Sequence, residues 1–193
     1  TLYDGRYEIP TLAEIITLVK AKQRSAHRTI GLYPETKHPT YFRSIGLALE
    51  APLVRTLHAA GYRSAHSPVF IQSFEVGNLQ ALRAATRLRL IQLIDSTAGP
   101  ADRPDLSYDG MMSVEGLRAI ADYADGIGPS TNRVLADSGA TALVGQAHDA
   151  GLQVHIWTLR MENMFLPAQY QRTDDPEGRG DFAGYVRAVA ATG

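Results

Sequence analysis

The sequence contains no cysteine. This absence excludes disulfide bonds, zinc sites built on thiolates and a cysteine nucleophile. A metal ion bound by the chain would need oxygen or imidazole ligands. The absence does not indicate a compartment, because proteins of reducing and of oxidising compartments can both lack cysteine.

An excess of positive charge and a long apolar run are also missing. The 19 Lys and Arg residues nearly balance 20 Asp and Glu, for a formal net charge of -1. Nucleic-acid-binding proteins usually carry a basic excess, so we expect no nucleic-acid partner. No apolar run approaches the roughly 20 residues that cross a bilayer, and the opening TLYDGRYEIP does not resemble a signal segment. We therefore expect no membrane span.

Helical and strand-like patterns alternate along the chain, with short loops between them. Apolar residues at three- and four-residue spacing predict helices at residues 11–20, 52–60, 75–86, 113–123, 141–150 and 181–191. Short β-branched and aromatic runs predict strands at residues 29–35, 69–73, 89–94, 126–129 and 152–159. The looser stretch 95–112, with its glycine and prolines, is interpreted as an insertion near a functional rim.

Repeated strand–helix units predict an α/β fold with parallel strands and right-handed crossovers. The pattern alone allows an open doubly wound sheet or a closed (β/α)8 TIM-type barrel. A barrel of typical size needs about 250 residues and eight strands, whereas this pattern gives five. On the barrel interpretation, residues 1–193 form one incomplete domain that lacks about three strands.

The most informative cluster is Glu35 and Lys37, two residues apart at the end of the predicted strand 29–35. Residues at this spacing point to the same side of an extended chain. A carboxylate can bind a divalent cation, and an ammonium group can stabilise a phosphodiester, so the pair could form one metal and phosphate site. Spacing alone leaves open the alternative of a local ion pair.

A family resemblance adds to this interpretation. GLYPETKHP, at residues 31–39, resembles the segment of glycerophosphodiester phosphodiesterases in which a strand-end glutamate binds metal and a nearby lysine approaches phosphate. Four more segments are similar to that family in the same order: GRYEIPTLAEII, VFIQSFE, YADGIGPS and AGLQVHIWTLR. The likeness is to the longer branch, whose members are often periplasmic or secreted. It implies a (β/α)8 barrel and covers most of the chain.

The resemblance also implies roles for individual residues. Glu35 becomes the candidate metal ligand for Ca²⁺ or Mg²⁺, and Lys37 a phosphate-binding group. The other candidates for substrate binding are Gln72, Phe74, His155 and Trp157. For Phe74 and Trp157, packing at strand ends is as plausible as contact with glycerol, and an isolated strand histidine such as His155 is more often structural.

Several parts of the family pattern are not found in the sequence. The catalytic His-Arg-Gly and the metal-binding Glu-x-Asp of the family precede its GRYEIP segment, and the HRT at residues 27–29 replaces neither. The family also continues into a DG-x-x-TD-x-P strand after its last helix. We therefore expect no catalytic residue within this chain and little activity from the chain alone. The missing strands would come from the parent chain or from a partner chain.

The resemblance implies metal-dependent hydrolysis of small glycerophosphodiesters, for example glycerophosphocholine, to an alcohol and glycerol 3-phosphate. Two alternatives remain: a non-catalytic binding or interaction module derived from the barrel, and a phosphodiesterase similar to sphingomyelinase D. The family branch suggests a periplasmic or secreted protein, with a cytoplasmic one as the alternative.

Overall fold

Four parallel strands form the centre of the fold in a computed structural model that describes residues 2–136 and 138–193. In chain order the strands are β1 (Phe70–Ser73), β2 (Arg89–Ile94), β3 (Gly126–Pro129), β4 (Leu135–Ala136), β5 (Gly139–Ala140) and β6 (Gln153–Val154). The parallel sheet has the order β1-β2-β3-β6, and β4 and β5 form a separate antiparallel pair. The strand at 89–94 and the strand at 126–129 agree residue for residue with prediction.

Helices follow the strands, as the alternating pattern predicts. They are α1 (Leu12–Ala26), α2 (Pro39–Ser44), α3 (Glu50–Ala59), α4 (Val76–Ala85), α5 (Tyr108–Met111), α6 (Val114–Ala121), α7 (Thr131–Val134), α8 (Leu143–Asp149) and α9 (Phe182–Ala190). Thr11 caps α1 in a reciprocal capping box with Glu14, and the helix continues to Ala26 rather than ending near residue 20. The short helices α2, α5 and α7 were not predicted. None of the helices in the described ranges is long and apolar enough to cross a membrane.

Two predicted strands are shorter in the structure because prolines interrupt their hydrogen bonding. The segment predicted at 29–35 pairs with β1 through isolated bridges at Leu32 and Glu35. Pro34, between them, accepts a hydrogen bond from the Gln72 amide but has no N–H to donate. The strand predicted at 152–159 is likewise reduced to β6 and a bridge at Trp157, because Pro129 of the neighbouring strand cannot donate.

The sheet has one face covered by helices and one concave face. Along β1, Ile71 and Ser73 are fully buried beneath the helices, while Phe70 and Gln72 alternate with them and are partly exposed. The main core lies on the helical side and includes Leu57, Leu79, Leu82, Leu90, Leu117 and Ile127. A smaller cluster of Leu166, Tyr185 and Val189 supports the C-terminal helix.

The sheet curls strongly about its concave face. Tyr33 lies beside one edge of the sheet and His155 beside the other, yet the Tyr33 hydroxyl and His155 Nδ1 are 2.7 Å apart. The strands pack closely at Gly128 of β3. A Cβ atom at this position would lie only 2.6 Å from Leu93 Cδ2. Within residues 2–136 and 138–193 the curled sheet has five strand positions and does not close, so it is an incomplete (β/α)8 barrel, in agreement with the predicted fold class.

Candidate functional site

A cavity of about 500 Å³ opens at the carboxyl ends of the strands, where active sites of (β/α)8 barrels lie. Three of the predicted site residues, Lys37, Phe74 and Trp157, line it. We call it the rim cavity. Its other lining residues are Thr36, His38, Pro39, Glu75, Asp95, Thr97, Ala98, Gly99, Ala101 and Tyr108.

A buried polar network fixes the segment that carries Lys37. The Thr36 hydroxyl donates to Asn78 Oδ1 at 2.6 Å, and Asn78 Nδ2 donates to Glu50 Oε1 at 2.9 Å. Arg43 forms an ion pair with the same carboxylate of Glu50. Burial works to raise the pKa of Glu50, but hydrogen bonds from its own backbone amide, Asn78 and Arg43 outweigh it and leave the pKa lowered. The network therefore joins the start of α4 to the loop beside the cavity.

Glu75 lines the rim cavity but is already engaged by the protein. Its Oε2 accepts hydrogen bonds from both the Thr40 amide, at 3.0 Å, and the Thr40 hydroxyl. Its side chain is buried, and its backbone amide donates to Ser73 Oγ. The carboxylate thus holds the first turn of α2 against the start of α4.

Glu35 and Lys37 carry charges that have no partner in the part of the chain that the structure describes. Both residues are exposed, and within 2–136 and 138–193 neither side chain makes a hydrogen bond or an ion pair. The local ion pair considered from their spacing is therefore not formed. Lys37 lines the rim cavity, whereas Glu35 lies deeper along the strand, opposite Gln72.

Aromatic rings form one wall of the rim cavity. The rings of Phe74 and Trp157 are perpendicular, with centroids 5.7 Å apart, and the Tyr108 centroid lies 6.5 Å from that of Phe74. Trp157 Nε1 donates to the Gly128 carbonyl at 2.7 Å, which fixes the orientation of the indole. Phe74 and Trp157 therefore pack against each other and also face the cavity, so the two roles weighed from sequence do not exclude one another.

The insertion 95–112 closes the far side of the rim cavity. Asp102 anchors it by accepting hydrogen bonds from the Val76 and Gly77 amides at the start of α4. Burial raises the pKa of Tyr108, at the start of α5, to about 12. The negative charges of Asp95, Asp102 and Glu75 add to that increase in pKa. Sequence reasoning placed this stretch at a functional rim but did not identify Tyr108, Asp95 or Glu75 as lining residues.

Gln72 and His155 lie outside the rim cavity. His155 belongs to a second group on the concave face, near the starts of β1 and β2, that we call the base layer: Tyr33, Phe70, Arg89 and His155. Arg89 stacks 3.7 Å from the Phe70 centroid and donates to the Ser67 carbonyl. Burial, followed by the nearby positive charge of Arg89, lowers the pKa of His155.

The described residues do not form a metal centre by themselves. No group of three or more His, Asp or Glu side chains within 2–136 and 138–193 is arranged to hold a metal ion. Glu35 is exposed and has no partner among the described residues, so it could supply one carboxylate ligand. A Ca²⁺ or Mg²⁺ ion takes about six or more oxygen ligands and would need further ones that these residues do not provide.

A larger cavity, of about 620 Å³, lies among the outer helices and is lined by Val76, Arg83, Met111 and Tyr123 among others. Pocket size alone would favour it as a ligand site. However, it lies between α4 and α6 and is not lined by Glu35, Lys37, Phe74 or Trp157. The position of the rim cavity at the strand ends, and its charged and aromatic lining, make it the better candidate.

Two known proteins that are similar to this chain in sequence are both glycerophosphodiester phosphodiesterases. The chain is 30% identical over 190 residues to glycerophosphodiester phosphodiesterase GDPD6 of Arabidopsis thaliana, an alignment that covers 88% of this chain and 49% of the relative. It is 26% identical over 195 residues to a glycerophosphodiester phosphodiesterase of Treponema pallidum, with 90% of this chain and 54% of the relative covered.

A solved structure also shares the fold. The crystal structure from Agrobacterium tumefaciens, described as a glycerophosphoryl diester phosphodiesterase, superposes with a TM-score of 0.50 at 19% sequence identity. The superposition covers 78% of this chain and 51% of that one. The chain spans about half the length of the curated relatives it matches. Since the sequence model of the glycerophosphoryl diester phosphodiesterase family matches residues 1–175, the chain belongs to that family.

Proposed function

We propose that this chain forms the rim-cavity half of an enzyme that hydrolyses glycerophosphodiesters, such as glycerophosphocholine, to an alcohol and glycerol 3-phosphate. The observation that carries the proposal is the rim cavity itself, where the unpaired Lys37 faces the aromatic rings of Phe74 and Trp157 at the strand ends. An ammonium group fixed beside a phosphodiester stabilises the negative charge that grows on its oxygens during hydrolysis. The apolar rings can contact the carbon atoms of glycerol.

Metal dependence, on Ca²⁺ or Mg²⁺, is part of the proposal and gives a role to Glu35. As an exposed carboxylate without a partner in the described part of the chain, Glu35 can act as one ligand. The other ligands, the general acid and base, and the strands that complete the barrel would come from the parent protein or a partner chain. The chain by itself is then inactive, and a periplasmic or secreted location is consistent with the family branch that it resembles.

The test is an assay of glycerol 3-phosphate release from glycerophosphocholine, with added Ca²⁺ or Mg²⁺, by the parent protein and by this chain alone. In the parent protein, Lys37→Met and Glu35→Gln should each lower kcat/KM about 10²–10³-fold, the cost of removing one preorganised electrostatic group. Lys22→Met is the matched control, because Lys22 is an exposed lysine on α1. The chain alone should release little or no product.

Other outcomes would replace the proposal. No hydrolysis by the parent protein would favour the non-catalytic binding module. Hydrolysis of sphingomyelin in preference to glycerophosphocholine would favour the enzyme similar to sphingomyelinase D. Full activity of the parent protein carrying Lys37→Met and Glu35→Gln would place the phosphate and metal sites elsewhere.

A further inference from the structure

We propose that the rim cavity selects a quaternary-ammonium headgroup, so that the preferred substrates are choline diesters rather than ethanolamine or glycerol diesters. The inference rests on the proposed function and deepens it, because it assigns the alcohol half of the substrate. Its specificity-determining residues are Phe74, Tyr108, Trp157 and Asp95. The first three present aromatic surface, and the fourth presents negative charge.

The aromatic wall supplies ring surface that a cation in the cavity can approach. Perpendicular rings at Phe74 and Trp157 form a corner, and Tyr108 adds a third ring inclined at 65° to Phe74. The indole N–H of Trp157 is already bonded to the Gly128 carbonyl, so it is not available as a hydrogen-bond donor to a ligand. A cation held against such rings is attracted by their negative faces, an interaction used widely for quaternary ammonium groups.

Negative charge beside the aromatic wall complements a positively charged group of a ligand. Both oxygens of Asp102 accept hydrogen bonds from the start of α4, so this carboxylate is engaged. Among the described residues, Glu75 binds Thr40 through Oε2 alone and adds negative charge to the cavity, while Asp95 lies at the start of the insertion. Asp95 Oδ1 accepts hydrogen bonds from the neighbouring Ser96, and its Oδ2 has no partner among residues 2–136 and 138–193. A half-buried carboxylate with a free oxygen thus lies at the edge of the aromatic wall.

The strand positions that precede Lys37 and Asp95 leave room for a phosphocholine group between the two side chains. Lys37 follows the edge segment that pairs with β1, and Asp95 follows β2, which lies two strand positions away. Neighbouring strands are about 4.8 Å apart, so two positions correspond to roughly 10 Å. A phosphate at Lys37 would therefore direct its alcohol substituent along Phe74 toward Asp95.

The same geometry disfavours a primary ammonium group. Three N–H donors on such a group require acceptors in fixed positions, and hydrogen bonds lost on leaving water are not replaced by aromatic rings. A trimethylammonium group donates no hydrogen bond and is larger and more apolar. Its transfer to an aromatic wall with one free carboxylate therefore costs less.

The test compares kcat/KM of the parent protein for three diesters of glycerol phosphate: the choline ester, the ethanolamine ester, and a neutral isostere in which tert-butyl replaces trimethylammonium. We expect the choline ester to exceed the isostere about tenfold, a value between those of an exposed and a fully desolvated cation–π contact. It should exceed the ethanolamine ester by at least as much. Equal values for the choline ester and its isostere would overturn the inference and leave the proposed hydrolysis intact.

Substitutions test which residues cause the preference for the choline ester. Tyr108→Leu and Asp95→Asn should each reduce the ratio of choline ester to isostere several-fold, whereas Tyr108→Phe should restore it because the ring remains. Asp95→Asn preserves an oxygen that can accept from Ser96, so its effect reports charge rather than folding. Glu115→Gln is the matched control, since it removes one carboxylate from an exposed position on α6. An unchanged ratio in Asp95→Asn and Tyr108→Leu would contradict the assignment.

If the parent protein hydrolyses none of the esters, the proposed function fails and binding alone decides the inference. Calorimetric titration with tetramethylammonium should then give binding that Tyr108→Leu and Asp95→Asn weaken and Glu115→Gln does not. Absence of tetramethylammonium binding to the parent protein would overturn the inference as well.

Discussion

The base layer and the rim cavity lie on the same concave face but use similar residues in different ways. In the base layer most polar groups bind one another or the backbone: Tyr33 bonds to His155, and Arg89 donates to the Ser67 carbonyl while stacking on Phe70. The exception is Arg89 Nε, which is buried without a hydrogen-bond partner among the described residues. In the rim cavity, Lys37 and one oxygen of Asp95 have no partner in the described part of the chain. Internal pairing stabilises a fold, whereas unpaired charge beside a cavity is available to a ligand.

Hydrogen-bonded residues next to Lys37 and Asp95 hold these groups of the rim cavity in place. Thr36, next to Lys37, is held by Asn78 and through it by Glu50, and Asp102 fixes the insertion that carries Asp95. The groups that would bind a ligand are thus adjacent to groups whose hydrogen bonds are satisfied within the protein. Positioning of this kind keeps a site in its binding geometry before the ligand arrives.

The largest effect on stability is expected from the support of the rim cavity. Asn78→Ala removes one hydrogen bond from the Thr36 hydroxyl and one from the Glu50 carboxylate. The Thr36 hydroxyl then keeps a 3.5 Å contact with the Gln72 carbonyl, and Glu50 keeps its ion pair with Arg43. We expect the free energy of unfolding to fall by about 1–3 kcal/mol. Urea unfolding of the parent protein measures it, with Gln80→Ala, at an exposed position of the same helix, as the control.

A loss below about 1 kcal/mol for Asn78→Ala would mean that water or rearrangement replaces these hydrogen bonds. The loop that carries Lys37 would then not depend on the network. In that case the hydrogen bonds of Asn78 would not explain why the rim cavity keeps its shape.

A smaller effect is expected in the base layer. Arg89→Met keeps an unbranched apolar stem but removes the hydrogen bond to the Ser67 carbonyl and the cation–π contact with Phe70. These losses together should destabilise the protein by about 1–2 kcal/mol. Because the base layer does not line the rim cavity, the ratio of choline ester to neutral isostere should change little.

Arg87→Met, at an exposed position two residues earlier, is the control for the Arg89 variant and should be close to neutral in urea unfolding. A large change in substrate preference on Arg89→Met, without loss of stability, would show that the base layer takes part in substrate selection. The distinction between the two ends of the concave face would then be wrong.

The arrangement of elements was largely accessible from sequence, because it depends on local patterns. Short apolar runs located β2 and β3 to the residue, and five strand positions in an incomplete barrel agree with the prediction. Two strands were predicted too long, and the residues responsible are also present in the sequence. Pro34 and Pro129 cannot donate to a neighbouring strand, but which neighbour needs that donor becomes evident only when the strands are paired.

The site was less accessible, because it is assembled from distant segments. The motif around Glu35 and Lys37 is local and was found, whereas Tyr108 comes from an insertion with no strand or family motif to mark it. Ser107, an N-cap residue just before Tyr108, was the available signal for a helix there. His155 and Trp157 are two residues apart on one strand segment, and two residues of extended chain advance about 6.6 Å, so one lies in the base layer and the other at the rim.

The smallest expected effect is a pH dependence that arises in the base layer. The pKa of His155 is lowered from its ordinary value of 6.5, first by burial and then by the charge of Arg89, and its Nδ1 lies 2.7 Å from the Tyr33 hydroxyl. Below that ordinary value the unfolded chain binds a proton that the folded chain resists, so stability falls as pH decreases from 6.5 toward the lowered pKa. His155→Gln should reduce this part of the pH dependence, as measured by urea midpoints at several pH values.

His66→Gln, at an exposed position, serves as the control for the His155 variant and should leave the pH dependence of the urea midpoint unchanged. Glu50 also loses stabilising hydrogen bonds on protonation. Its pKa is lowered, however, so that loss appears only as pH falls below the ordinary glutamate value of 4.5 and is separated from the histidine range. A urea midpoint that does not change between pH 7.5 and 5.0 in the unmodified protein would show that the base layer admits a charged His155. The base layer would then accept a second positive charge beside Arg89, and exclusion of further charge would no longer distinguish it from the rim cavity.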